Sequence, residues 1–116
     1  MTNTIYLKNV LSEASSLPTQ QLTLFTLLNL GILDSLTSGV ISATEALRIF
    51  FNAENCLFIH HRLQDRTADA IMSHGVQLPD LFDTLPAEEA QREFQRELTK
   101  MRTLCLNLLE EKQLVV

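Results

Sequence analysis

Cys56 and His60 are four residues apart, the spacing that places two side chains on one face of a helix. A thiolate beside an imidazole can bind zinc, but two ligands do not complete a site. A third would have to come from His74 or Cys105, and nothing in the local sequence brings either one there. A packed thiol and a hydrogen-bonded histidine is the simpler reading, and His74, just before Gly75, suits the negative end of a helix. His61, Asp65 and Asp69 form a second line at four-residue steps, able to hold a hard cation or to act as an acid and base pair. Arg62 and Arg66 are interleaved with these acids, so a solvated, ion-paired face is expected. Cys56, His60, His61, Asp65 and Asp69 are therefore the candidates for a metal-binding, ligand-binding or enzymatic role, and no cofactor is expected. There is no glycine-rich phosphate loop, GxSxG or HExxH. The Glu-x-x-Glu pairs of metal-dependent helical pyrophosphohydrolases and the Glu-x-x-His pair of di-iron bundles are also absent. Binding is favoured over catalysis on these grounds.

The elements that must position such residues are helical. The chain has 116 residues, 46 % apolar and 20 % charged, with three Gly, three Pro and no Trp, which suits one helix-rich domain. A folded monomer of this size hides roughly two-thirds of its unfolded surface, so its own core is modest and a second copy would enlarge it. Nine basic residues stand against fourteen acidic ones, a net charge of −5, and most basic positions are interleaved with acids. That excludes a phosphate-tracking surface, and one Tyr and six Phe, mostly in apolar helical patterns, give no stacking platform for nucleic acid. A helix-turn-helix reading of the segment from Ala43 would need basic residues at its start, where only Arg48 is available. Cys56 and Cys105 lie inside apolar runs without a CxxC, which points to free thiols in the cytoplasm. No basic region leads into an apolar stretch and cleavage site, and residues 22–36 are interrupted by Thr23, Thr26, Asn29 and Asp34, so neither export nor a membrane span is expected.

Along the chain, Leu7, Val10, Leu11 and Ala14 predict a short first helix over about residues 4–15. Pro18 or Thr19 opens a second, running to about Thr37, whose polar stripe of Thr19, Thr23, Thr26, Asp34 and Thr37 is narrow. A helix so apolar belongs at the centre or at a subunit interface. Gly39 can end it in the left-handed conformation, and Ser42 with Glu45 has the form of a capping box for the next helix. That third element is expected to run, with a bend near Asn52, as far as Ser73, with Ala46, Phe50, Ala53, Leu57 and Ile71 near one line and Gly75 ending it. Residues 76–86 read as a loop with one short turn. Ala87, Ala90, Phe94, Leu98, Met101, Cys105 and Leu108 then mark a clear amphipathic helix.

Gln21-Leu22-Thr23-Leu24-Phe25 resembles the Gln-Leu-x-Leu-Phe peptide by which bacterial replication and repair proteins dock on the sliding clamp, and Gln77-Leu78-Pro79-Asp80-Leu81-Phe82 is a looser echo with one inserted residue. The resemblance implies an accessible peptide, whereas the first copy falls within the most apolar helix and is expected in the core. The fold expected is an all-α, compact irregular bundle of four or five helices, a single domain over residues 1–116, forming a homodimer. The function expected is that of a non-catalytic cytoplasmic protein-interaction module: an adaptor, a regulatory subunit or a small helical chaperone. Leu27, Leu28, Leu30 and Leu33 are the candidate self-association or partner surface, and Leu78, Leu81 and Phe82 the candidate docking loop. Neither nucleic acid nor membrane is expected as a partner.

Overall fold

The computed structural model describes residues 4–111, and every regular element within them is helical. The described residues form seven helices: α1 (Leu7–Ala14), α2 (Pro18–Thr37), α3 (Ala43–Ile49), α4 (Ala53–Leu63), α5 (Arg66–Gln77), α6 (Asp80–Thr84) and α7 (Ala87–Glu111). The long helices α2 and α7 pack along each other; α1, α3 and α4 lie against α2, while α5 and α6 lie against α7.

Local chemistry sets the ends. Pro18 is the first residue of α2, where its missing N–H costs nothing. Gly39, at φ +78, turns the chain out of α2 so that the Val40 N–H donates to the Ser35 carbonyl at 2.9 Å. The capping box of α3 is present: the Glu45 N–H donates to Ser42 Oγ at 3.1 Å and the Ser42 N–H to Glu45 Oε1 at 3.0 Å.

The expected third element is instead three helices and the expected loop holds α6, so the described residues form seven helices rather than four or five. Asn52 caps α4 by accepting from the Asn55 N–H at 2.9 Å, and Asp65 caps α5 by accepting from the Ala68 N–H at 2.9 Å. Between those two helices Gln64 takes the left-handed conformation, at φ 48. Gly75 does not end a helix. It lies buried within α5, and a Cβ there would overlap the Phe51 ring, so glycine lets α5 lie directly on that aromatic face. The expected loop is shorter than residues 76–86, because α5 continues to Gln77 and α6 takes up Asp80–Thr84.

The core joins Phe25, Phe50 and Phe51 to Ile59, Ile71, Met72, Met101 and Leu108. Phe25 and Phe50 stack at 6.3 Å between centroids, and Phe51 meets Phe50 edge-on at 5.1 Å. The α7 stripe is buried from Ala90 through Leu108 as its periodicity predicts, and Ala87 alone of that set is exposed.

In α2 the polar residues do not all face water. Gln21, Thr26 and Asn29 are buried, while Leu27 is exposed. Thr26 Oγ1 donates back to the Leu22 carbonyl at 2.8 Å. Gln21 Nε2 donates to the carbonyls of Ser15 at 2.7 Å and Leu11 at 3.3 Å, and its Oε1 accepts from Arg62 Nε at 2.7 Å. The clamp-like pentapeptide thus contributes Gln21, Leu22 and Phe25 to the chain's own interior, as its position in the apolar helix implies.

Asn55 ties the N-terminal arm to the rest. Its Oδ1 accepts from the Leu7 N–H at 3.1 Å, and its Nδ2 donates to the carbonyls of Ile5 at 2.7 Å and Phe50 at 2.9 Å. The Ile5 N–H adds a bond to the Ile49 carbonyl at 2.8 Å. These bonds hold Tyr6 beside α4, at the edge of the surface described next.

Candidate functional site

Helices α4 and α5 form a hairpin, and between them runs a groove of about 660 Å³. Buried Met72 and half-buried Cys56 lie at its base, Leu57 and Val76 stand exposed along it, and His60 and Asp69 line it as well. Leu57, 58 % exposed, also borders a second hollow of about 350 Å³ made with Tyr6, Lys8, Phe58 and His61. It is therefore a ridge between two depressions with aromatic and aliphatic walls.

His60 Nδ1 lies 2.9 Å from Asp69 Oδ2. Against an ionised carboxylate, which can only accept, Nδ1 is the donating nitrogen. Cys56, His60 and Asp69 thus supply the residue types of a thiol, base and orienting acid around one groove. The thiol is not activated. Burial pushes its pKa up and the nearby Asp69 carboxylate pushes it further in the same direction, so the thiolate is disfavoured. Among the described residues no hydrogen bond joins Cys56 to His60, and no three His, Cys, Asp or Glu side chains converge as metal ligands. The groove sets a polar pair beside an apolar base and ridge.

The sequence-predicted candidates are divided by the fold. Cys56, His60 and Asp69 come together, but the line of His61, Asp65 and Asp69 is broken by the turn at Gln64, with His61 in the second hollow and Asp65 capping α5. Arg62 reaches Gln21 and the Ser16 carbonyl, the latter at 2.8 Å, and Asp69 is bonded to His60. His74 contacts Glu97 at 3.0 Å, and Lys100 contacts the same carboxylate at 3.1 Å. Burial works to raise the Glu97 pKa, and the bonds from Lys100 and His74 outweigh it and hold the carboxyl below its ordinary range. Of the leucine sets, Leu33 and Leu78 are inside the chain's own core, Leu28, Leu30 and Leu81 are partly buried against it, and Leu27 and Phe82 are exposed. Phe82 rests edge-on against Phe94 at 5.1 Å.

A family model described as "Protein of unknown function (DUF3969)" matches residues 18–115. The chain belongs to the DUF3969 family. No curated protein and no solved structure matches it. The DUF3969 match takes in α2 through α7 and so contains both helices of the groove, while Tyr6 and α1 precede it.

Leu57 and Val76 are the residues of this DUF3969 surface that sequence reasoning missed. Leu57 is expected on one line with Phe50 and Ile71 when α3 to α5 are read as a single helix. The break at Asn52 resets the phase, so that Asn55 and Ile59 face inward and Leu57 outward. The signal able to reveal this was the cap residue at Asn52 followed by a polar Asn55.

Proposed function

We propose that the protein is a non-catalytic interaction module that receives the apolar face of a partner protein's basic amphipathic helix in the α4–α5 groove. The observation that carries this reading is Leu57, exposed on a ridge between two hollows, with Val76 exposed beside the first of them. Helix-in-groove recognition uses such a surface, with apolar anchors at three- and four-residue spacing. The eleven residues of α4 and twelve of α5 give walls about 17 Å long, which match about three turns of a docked helix. A net charge of −5 favours a basic partner and speeds its approach. Two free cysteines fit a reducing compartment, and the cytoplasm is the location we assign.

The test uses a fluorescent Leu/Lys amphipathic peptide of about 12 residues as probe, its binding followed by anisotropy. The wild-type chain is expected to bind it, and a Leu57→Ser, Val76→Ser variant to bind at least about tenfold more weakly with unchanged melting. Equal binding by both chains overturns the assignment of the groove.

A further inference from the structure

We propose that the hollow where α2 ends against α7 binds a small organic ammonium ion, its charge held by Glu45 and the end of α2 and its alkyl body against Phe82. This hollow shares no residue with the α4–α5 groove.

The hollow holds about 530 Å³, within the range of about 300 to 1,000 Å³ usual for small-molecule sites. Buried Leu36, Ala43 and Phe94 give it an apolar base. Phe82 lines it as well, 43 % exposed and braced edge-on by Phe94 at 5.1 Å. An open aromatic face attracts a cation through its ring quadrupole.

The polar groups decide the sign of the ligand. Thr37 Oγ1 gives its hydrogen to the Leu33 carbonyl at 2.9 Å and Ser38 Oγ gives its own to the Ser35 carbonyl at 3.3 Å, which leaves both hydroxyl oxygens as acceptors. Helix α2, twenty residues long, ends at these residues, and among the described residues no N–H is bonded to the carbonyls of Thr37 or Ser38. That is the negative end of the helix dipole, which favours a cation. The start of α3 borders the hollow too, but its capping box sets the Glu45 carboxylate there. Glu45 Oε1 takes the Ser42 N–H at 3.0 Å, and these bonds from Ser42 hold its carboxyl below the ordinary carboxylate range. Among the described residues that line the hollow, Glu45 is the one charged side chain; Arg48 and Arg92 lie outside it. An anion would meet this carboxylate with no counter-charge, and a neutral alcohol would leave the carboxylate unanswered. A cation with a short alkyl body answers both the charge and the aromatic ring, and the net charge of −5 draws it in.

Titration of the isotope-labelled full chain with n-butylammonium chloride at fixed ionic strength, followed by amide chemical shifts, tests the proposal. Saturable shifts are expected at residues 36–45, 82 and 91–95. Neutral n-butanol, which needs no variant, is expected to bind at least about threefold more weakly. Two exposed-site variants are each expected to weaken butylammonium binding at least about threefold: Glu45→Gln, which removes the charge and keeps the capping bond, and Phe82→Leu, which removes the ring and keeps an apolar side chain. Shifts that spread over the acidic surface without saturating, butanol binding within threefold of butylammonium, or a smaller loss in either variant overturns the proposal. The Leu57→Ser, Val76→Ser variant should bind butylammonium as wild type does, so the groove and this hollow fail or stand separately.

Discussion

Asp69 Oδ2 accepts a hydrogen bond from His60 Nδ1 at 2.9 Å, joining α4 to α5 beside the half-buried thiol of Cys56. The pair contributes little stability, since His60 is 65 % and Asp69 34 % exposed, and such contacts are worth less than about 1 kcal/mol. Its measurable effect is on the thiol. Burial raises the Cys56 pKa first and the Asp69 charge adds to it, so Asp69→Asn removes the second cause and lowers the pKa part of the way. The pH profile of Cys56 alkylation should move to lower pH in Asp69→Asn while the melting temperature stays within a few degrees. An unmoved profile would mean that the carboxylate is not felt at the sulfur.

Asn55 makes three side-chain bonds to backbone groups, of which those to Ile5 and Leu7 reach the N-terminal arm. Asn55→Ala leaves buried donors and acceptors without partners, at a cost of about 2 to 3 kcal/mol. Thermal melting should fall by about 10 °C. Limited proteolysis should then cut first within α1, and if cleavage began elsewhere the arm would be held by other contacts.

Gly75 lies under the Phe51 ring, where a Cβ would overlap carbon atoms of a fully buried side chain. Gly75→Ala gains about 1 kcal/mol in helix propensity and loses about 3 kcal/mol to overpacking, a net loss of about 2 kcal/mol in urea unfolding. Adding Phe51→Leu should recover part of that loss, because neighbouring changes are not additive. A stabilised Gly75→Ala would contradict this packing.

Cys105 is buried in the α2–α7 contact, and burial pushes its thiol up to about 12 from an ordinary 9.0, with Arg102 opposing weakly. Below pH 9 both folded and unfolded chains hold this proton, so it does not affect the balance. Above that pH the unfolded chain loses the proton and the folded chain keeps it, so stability falls, by at most about 1.4 kcal/mol per pH unit from this group. The urea midpoint should drop more steeply between pH 9 and pH 11 in wild type than in Cys105→Ala. Parallel slopes would show that Cys105 ionises equally in both states.

Much of the fold was legible in local sequence. Pro18, Gly39, the Ser42 and Glu45 pair and the α7 stripe each act within one or two turns, and each is where its chemistry predicts. What was not legible acts over distance or without a preferred residue. Gln64 reverses the chain in a conformation that glycine usually marks, which left the cap residue Asp65 as the local signal between α4 and α5. Gly75 serves the Phe51 ring rather than a helix end, and Asn55 serves carbonyls and amides about fifty residues earlier. The site suffered most. His60 and Asp69 meet only because of the turn at Gln64, and Leu57 faces outward only because α3 and α4 are separate helices.

Cys56 lines the proposed docking groove, and Cys105 is buried with its thiol raised to about 12, so alkylation of the native chain reads the groove alone. The most direct measurement is the rate of Cys56 alkylation by iodoacetamide with and without the Leu/Lys peptide, followed by intact mass. The docking account predicts that saturating peptide slows the wild-type reaction at least about tenfold and leaves that of the Leu57→Ser, Val76→Ser variant unchanged. An unslowed reaction in wild type, or equal protection in the variant, would contradict it.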